Sequence, residues 1–131
     1  MEQRVPVTIL IIDDDAAYRK LATLLLEGHG NSVIAARNAE EGIRMACERA
    51  PDLVLMDMHL PGTDGFQVLR RFQEDPRARG LPVIAVTAAQ VSGEREREEA
   101  HVAGFYDFVT KPINSAGFRK LLDDWRGASS S

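Results

Sequence analysis

Asp57 stands directly after four apolar residues in the stretch LVLMDMHLPGTDG, residues 53–65. Leu53 to Met56 read as a strand buried on both faces, because no polar residue alternates with them. A carboxylate leaving such a strand either ends it in solvent, caps a helix, or reacts. Its company decides. Asp13, Asp14 and Asp15 follow the apolar run VTILII (7–12), Thr87 closes PVIAVT (82–87), and Thr110 and Lys111 follow FYDFV (105–109), with Pro112 next. If these groups meet, the carboxylates repel one another by roughly 4 kcal/mol for two charges about 4 Å apart at an effective dielectric near 20. One lysine cannot neutralise three acids. A hard divalent cation can, and oxygen-only ligands suit Mg²⁺. Such a cation also lets an anionic phosphoryl group approach a carboxylate nucleophile, which would form an acyl phosphate. Thr87 and Lys111 then offer a hydrogen bond and a positive charge to the phosphoryl oxygens.

The elements that would bring these residues together alternate in type. NSVIAA (31–36) completes a set of five apolar runs, and amphipathic patterns fill the gaps. In residues 16–27 the spacing of Ala17, Leu21, Leu24 and Leu25 predicts a helix with those residues inward, stopped by Gly28. Asn38 can cap a second helix, with Glu41 as its capping-box partner and Ala39, Ile43, Ala46, Cys47 and Ala50 as its stripe. Phe66, Leu69 and Phe72 mark a third helix; Phe118, Leu121, Leu122 and Trp125 mark a fifth. The fourth, in GEREREEAHVAG (93–104), has only Ala100, Val102 and Ala103 as anchors and is expected to be weakly held. Five strand–helix repeats imply a doubly wound α/β fold, a parallel sheet covered on both faces. In the common order 2-1-3-4-5 the ligand site lies outside the carboxyl ends of the strands, where Asp13–Asp15, Asp57, Thr87 and Lys111 converge. Arg37 and Asn38, which end the second strand, carry nothing diagnostic.

Size and charge narrow the function further. The 131 residues fit one domain, expected over 7–126 with flexible termini at 1–6 and 127–131. A net charge of −4 argues against non-specific binding to nucleic acid or anionic membranes. Cys47 is the single cysteine, so no internal disulfide forms and a reducing, cytoplasmic setting is the natural expectation. The apolar run before Asp13 is too short to span a bilayer. His29, His59 and His101 show no metal-ligand spacing.

The motifs IIDDD (11–15), LMDMHLPGTDG (55–65), VIAVTA (83–88) and FVTKP (108–112) occur in order, and through them the chain from about Val7 to Arg126 resembles the receiver domain of two-component response regulators, the CheY-like family with its flavodoxin-like fold. The resemblance implies that Asp57 is the phosphoacceptor. It implies Mg²⁺, with Mn²⁺ as a possible substitute, held by Asp14 directly, by Asp13 partly through water, by Asp57 and by the backbone carbonyl of His59. Thr87, Ala88 and Lys111 take phosphoryl-binding roles, Thr87 and Phe108 form the switch, and Lys111–Pro112 is a cis peptide. His59 and Ala89 occupy rim positions that tune phosphoryl lifetime. Asp15 has no family role and is expected to cap the first helix. Phe108 lacks the hydroxyl of the frequent tyrosine, and Lys111-Pro112-Ile113 departs from the ending frequent in winged-helix transcriptional relatives.

The implied partners are a sensor histidine kinase or a histidine phosphotransfer protein, and a downstream target reached through the face of the fourth helix, fifth strand and fifth helix. No direct contact with nucleic acid or membrane is expected. The implied chemistry is self-catalysed transfer to Asp57 and its later hydrolysis, without turnover of an external substrate. Met1 and the polar tail favour a free-standing receiver. Three rival readings fit less well. A haloacid-dehalogenase-like phosphohydrolase would use Asp13 and Asp15 but lacks an acidic pair after Lys111. A flavodoxin needs a first loop that cradles phosphate, and three aspartates there have the wrong sign. A receiver-like binding module without phosphorylation would have lost an acid, the threonine or the lysine.

Overall fold

Strand and helix alternate through the described residues: β1 (Thr8–Ile12), α1 (Ala16–Gly28), β2 (Ser32–Ala36), α2 (Ala39–Arg49), β3 (Leu53–Asp57), α3 (Gly65–Glu74), β4 (Val83–Ala88), α4 (Glu94–Ala103), β5 (Asp107–Lys111) and α5 (Ser115–Ser129). The computed structural model describes residues 5–88, 93–111 and 113–129. All strand pairs are parallel, in the order β2-β1-β3-β4-β5. The expected doubly wound, flavodoxin-like architecture is therefore the observed one. Ala89 and Pro112, and with Pro112 the expected cis peptide, lie outside the described residues.

Successive side chains on a strand point to opposite faces, and that alternation divides the core in two. Ile9, Ile11, Leu53, Leu55, Ile84 and Val86 pack under α1 and α5, against Ala22, Leu26, Phe118, Leu121, Leu122 and Trp125. Leu10, Ile12, Val54, Met56, Val83 and Ala85 pack under α2, α3 and α4, against Ala46, Val68, Leu69, Phe72 and Ala100. The central strands are enclosed on both faces, which is why they read as unbroken apolar runs.

Local chemistry ends the helices much as expected, with some corrections. Asp15 caps α1, accepting from the N–H groups of Ala17 and Tyr18. Asn38 caps α2 through the Glu41 N–H at 2.8 Å, but the Glu41 carboxylate accepts from the Arg37 N–H, one residue beyond the Asn38 N–H that a capping box would use. Ala50, expected on the α2 stripe, is exposed and caps the helix in the left-handed conformation. α1 continues through Gly28, and Gly30, with φ +88°, makes the left-handed turn after it. The inward face of α1 is also turned by one residue from the expectation. Tyr18, Ala22, Leu25 and Leu26 face the core, while Ala17 is exposed and Leu21 and Leu24 are 52% and 60% exposed. Three consecutive leucines, 24–26, make two helical phases equally apolar, and the packing selects the one that brings Tyr18 over the sheet. On α4, Val102 is 84% exposed and anchors nothing. Gly127 to Ser129, expected as tail, continue α5.

Candidate functional site

The carboxyl ends of β1, β3 and β5 deliver Asp13, Asp57 and Lys111 by a parity rule. Asp13 continues the alternation of Ile9 and Ile11, Asp57 that of Leu53 and Leu55, and Lys111 that of Val109, so all three lie toward the α1/α5 layer. Thr87 has the opposite parity, that of Val83 and Ala85, and so lies toward α3 and α4 with Phe108. Gly65 lets the start of α3 come close behind Asp57. A Cβ there would collide with Met58 Sδ and come 3.2 Å from the Met58 Cα. In the space so kept, the Gly65 N–H donates to the Met58 carbonyl at 3.1 Å.

Lys111 Nζ sits 2.7 Å from Asp13 Oδ2 and 3.7 Å from Asp57 Oδ2, with the Tyr18 ring centroid 4.2 Å away. Asp57 is 8% exposed, and its Oδ1 accepts the His59 N–H at 2.9 Å. That bond leaves Oδ2 turned toward the lysine and the site. Asp13 is 1% exposed. Its Oδ1 accepts the Asp15 N–H at 2.9 Å. Oδ2 is shut off from solvent without a well-directed hydrogen bond, having only the ammonium beside it. Burial pushes the Asp13 carboxyl above its ordinary range; Lys111 opposes that shift without cancelling it. Burial, reinforced by the charges of Asp13 and Asp57, also raises the Tyr18 phenol, which stays protonated.

Asp14 is exposed at the mouth, and Asp13, Asp14 and Asp57 each offer a carboxylate oxygen within 4.8 Å of the others. The donor set is all oxygen. It contains a buried anionic atom short of partners and opens to solvent on the Asp14 side. A hard divalent cation that keeps several waters fits this arrangement.

Thr87 is 1% exposed, and its Oγ1 lies 3.3 Å from His59 Nε2. Ala88 is exposed at the end of β4, in register with Lys111. Beside Thr87 a cavity of about 100 Å³ is lined by Met58, His59, Phe66, Thr87, Glu96 and Phe108. Phe108 is already buried, 4% exposed, beneath the guanidinium of Arg97. The sequence reading missed Tyr18 and Arg97. The stripe Tyr18, Ala22, Leu25, Leu26 was present as an alternative phase of α1. Nothing separates Arg97 from its neighbours in a run of alternating charges.

Comparison with known proteins agrees with this geometry. Residues 9–123 match the family model described as the response regulator receiver domain. The chain is 34% identical over 122 residues to the polar-differentiation response regulator DivK of Brucella anthropi, covering 93% of this chain and 98% of that one. It is 35% identical over 115 residues to Protein PilH of Pseudomonas aeruginosa, covering 88% and 93%. Among solved structures, the receiver domain of the sensor histidine kinase PA1611 from Pseudomonas aeruginosa superposes with a TM-score of 0.80 at 28% identity, covering 94% of this chain and 99% of that one. That structure is described with a magnesium ion coordinated in the active site cleft. The chemotaxis response regulator CheY4 of Vibrio cholerae shares the fold, with a TM-score of 0.83 at 20% identity over 92% and 98% of the two chains.

Proposed function

The chain belongs to the response regulator receiver family, and from that membership we propose that Asp57 accepts a phosphoryl group from a histidine kinase or a histidine phosphotransfer protein. The observation that carries the proposal is the Lys111 ammonium standing between Asp13 and Asp57, among the described residues the one partner of the buried Asp13 Oδ2 and shared with Asp57 Oδ2. The site is charged with more anion than its one cation can balance. It is suited to a second cation and an incoming anion together.

Asp57 Oδ2 attacks phosphorus, the bond from phosphorus to the donor imidazole breaks, and that imidazole leaves with the electron pair and takes up a proton. The product on the protein is a mixed anhydride at Asp57. The His59 N–H holds Oδ1, so the other oxygen is the one presented. Lys111 needs only to turn from Asp57 toward the phosphoryl oxygens and keeps Asp13 as its anchor. Mg²⁺ or Mn²⁺, held by Asp13, Asp14, Asp57 and the His59 carbonyl, would supply the positive charge that lets the phosphoryl oxygens approach the carboxylate. Thr87 exchanges its His59 contact for a phosphoryl oxygen, a hydrogen bond to a charged group worth roughly 1.5–3 kcal/mol. Such an energy moves a two-state equilibrium by roughly 10- to 100-fold, so the output is a population shift on the α4, β5 and α5 face, where a target protein reads it.

Intact-protein mass spectrometry tests the transfer. Treatment with a small acyl-phosphate donor and Mg²⁺ should add one phosphoryl group, stable in acid and removed by hydroxylamine. An adduct that persists in Asp57→Ala, or one indifferent to chelation of Mg²⁺, would overturn the proposal.

A further inference from the structure

α4 is tied down unevenly. Its C-terminal half has the buried Ala100, a turn at Gly104 with φ +116°, and the Gln73 side-chain N–H donating to the Ala103 carbonyl at 2.9 Å. Its N-terminal half has no side-chain cap at Gly93 and no buried residue before Ala100. Arg97 alone ties that half to β5 among the described residues. Its Nη1 donates to the Phe108 carbonyl at 3.0 Å, and its guanidinium carbon lies 5.5 Å from the Phe108 ring centroid. One side chain therefore grips both the backbone and the ring of the aromatic beside Thr87. It also lines two cavities beside β5, one of about 460 Å³ on the α4 side and one of about 360 Å³ on the α5 side, both reached by Asp107 and Phe108 as well.

We propose that Arg97 is a clamp: a positioning residue that holds the first turns of α4 and Phe108 in the unphosphorylated arrangement and must release for the signal to reach α4. The proposal rests on Asp57 being the phosphoacceptor and adds the contact that opposes the switch. When Thr87 moves toward a phosphoryl group, the packing of Phe108 beside it changes, and the Arg97 contacts to ring and carbonyl cannot both be kept. Linkage makes the effect reciprocal: whatever stabilises the unphosphorylated arrangement weakens binding at Asp57 by the same factor. The planar guanidinium matters, because it donates to the carbonyl and lies on the ring together, which an ammonium does less well.

The test measures beryllofluoride affinity with Mg²⁺, together with amide hydrogen exchange of the ligand-free protein, in wild type, Arg97→Ala and Arg97→Lys. Arg97→Ala should bind the phosphoryl analogue roughly three- to tenfold more tightly, the size of one partly exposed hydrogen bond with a ring contact. It should also speed exchange at residues 94–99 while leaving Ala100 to Gly104 and α5 unchanged. Arg97→Lys should fall between the two. Affinity within twofold of wild type, or weaker, overturns the clamp, and so does exchange that quickens uniformly. A wild type that fails to bind beryllofluoride refutes the phosphoacceptor reading instead, and the exchange pattern still judges whether Arg97 holds α4.

Discussion

Two helices flank β5, and they are fastened in opposite ways. α5 sinks Phe118, Leu121, Leu122 and Trp125 into the core, and Asn114 accepts the Gly117 N–H at its start. α4 fully buries Ala100 alone, packs Ala103 only in part, and adds polar ties from Arg97 and Gln73. The alternation of β5 assigns a different task to each side. Val109 and Lys111 face the α5 layer, so the reactive ammonium is carried by the rigid side. Phe108 faces the α4 layer, so the aromatic next to Thr87 lies under the more thinly packed of the two helices. A single strand thus separates the acidic site on a firmly packed side from a thinly fastened surface on the other.

The comparison can be broken most forcefully on the rigid side. Phe118→Ala should cost about 3–5 kcal/mol of global stability, measured by urea unfolding, because the ring is fully buried and its neighbours relax only in part. A loss below 1 kcal/mol would mean α5 is no firmer than α4. A smaller effect of opposite sign belongs to the acidic edge. Asp13 has its carboxyl pushed up by burial, so the folded chain holds that proton more tightly than the unfolded chain does. The group therefore costs stability as pH rises from its ordinary 3.8 through the raised value, and the cost is fully present at neutral pH. Asp13→Asn should stabilise the metal-free protein at pH 7 by about 0.5–2 kcal/mol, a gain that fades as the pH falls toward 4. Added Mg²⁺ should raise the unfolding temperature of wild type but not of that variant. A destabilised Asp13→Asn at pH 7 would show that the Lys111 pair outweighs the burial. Least of all should come from Val102→Ser on α4, within about 0.5 kcal/mol of wild type in the same urea titration, since the side chain is 84% exposed.

The sheet was legible because parallel strands enclosed on both faces must be apolar throughout, and the runs of β1, β3 and β4 lead straight into residues of the site, as that of β2 does not. Asp13, Asp14, Asp57 and Lys111 could be placed together from that alone. The inward face of α1 could not, because Leu24, Leu25 and Leu26 satisfy two helical phases and only contact with the sheet selects between them. Tyr18 was lost with that phase, and its place beside Lys111 depends on it. Val102 looked like an anchor because it is apolar, but on a helix so thinly attached an apolar residue need not be buried. Arg97 was hidden for the opposite reason. Its value lies in one carbonyl and one ring reached across space, which a run of alternating Glu and Arg does not reveal.

The central claim is that chemistry at the fixed edge moves the loose helix through Thr87 and Phe108. The most direct measurement follows backbone amide signals by NMR before and after beryllofluoride and Mg²⁺ are added, in wild type and in Thr87→Ala. Shifts should spread from the acidic loops through residues 93–111 and on to the side of α5 that faces β5, larger on α4 than on α5, and Thr87→Ala should remove most of that spread while still binding the analogue. Shifts confined to the loops around Asp14, Asp57 and Lys111 in wild type would contradict the claim and leave a phosphate carrier with no conformational output.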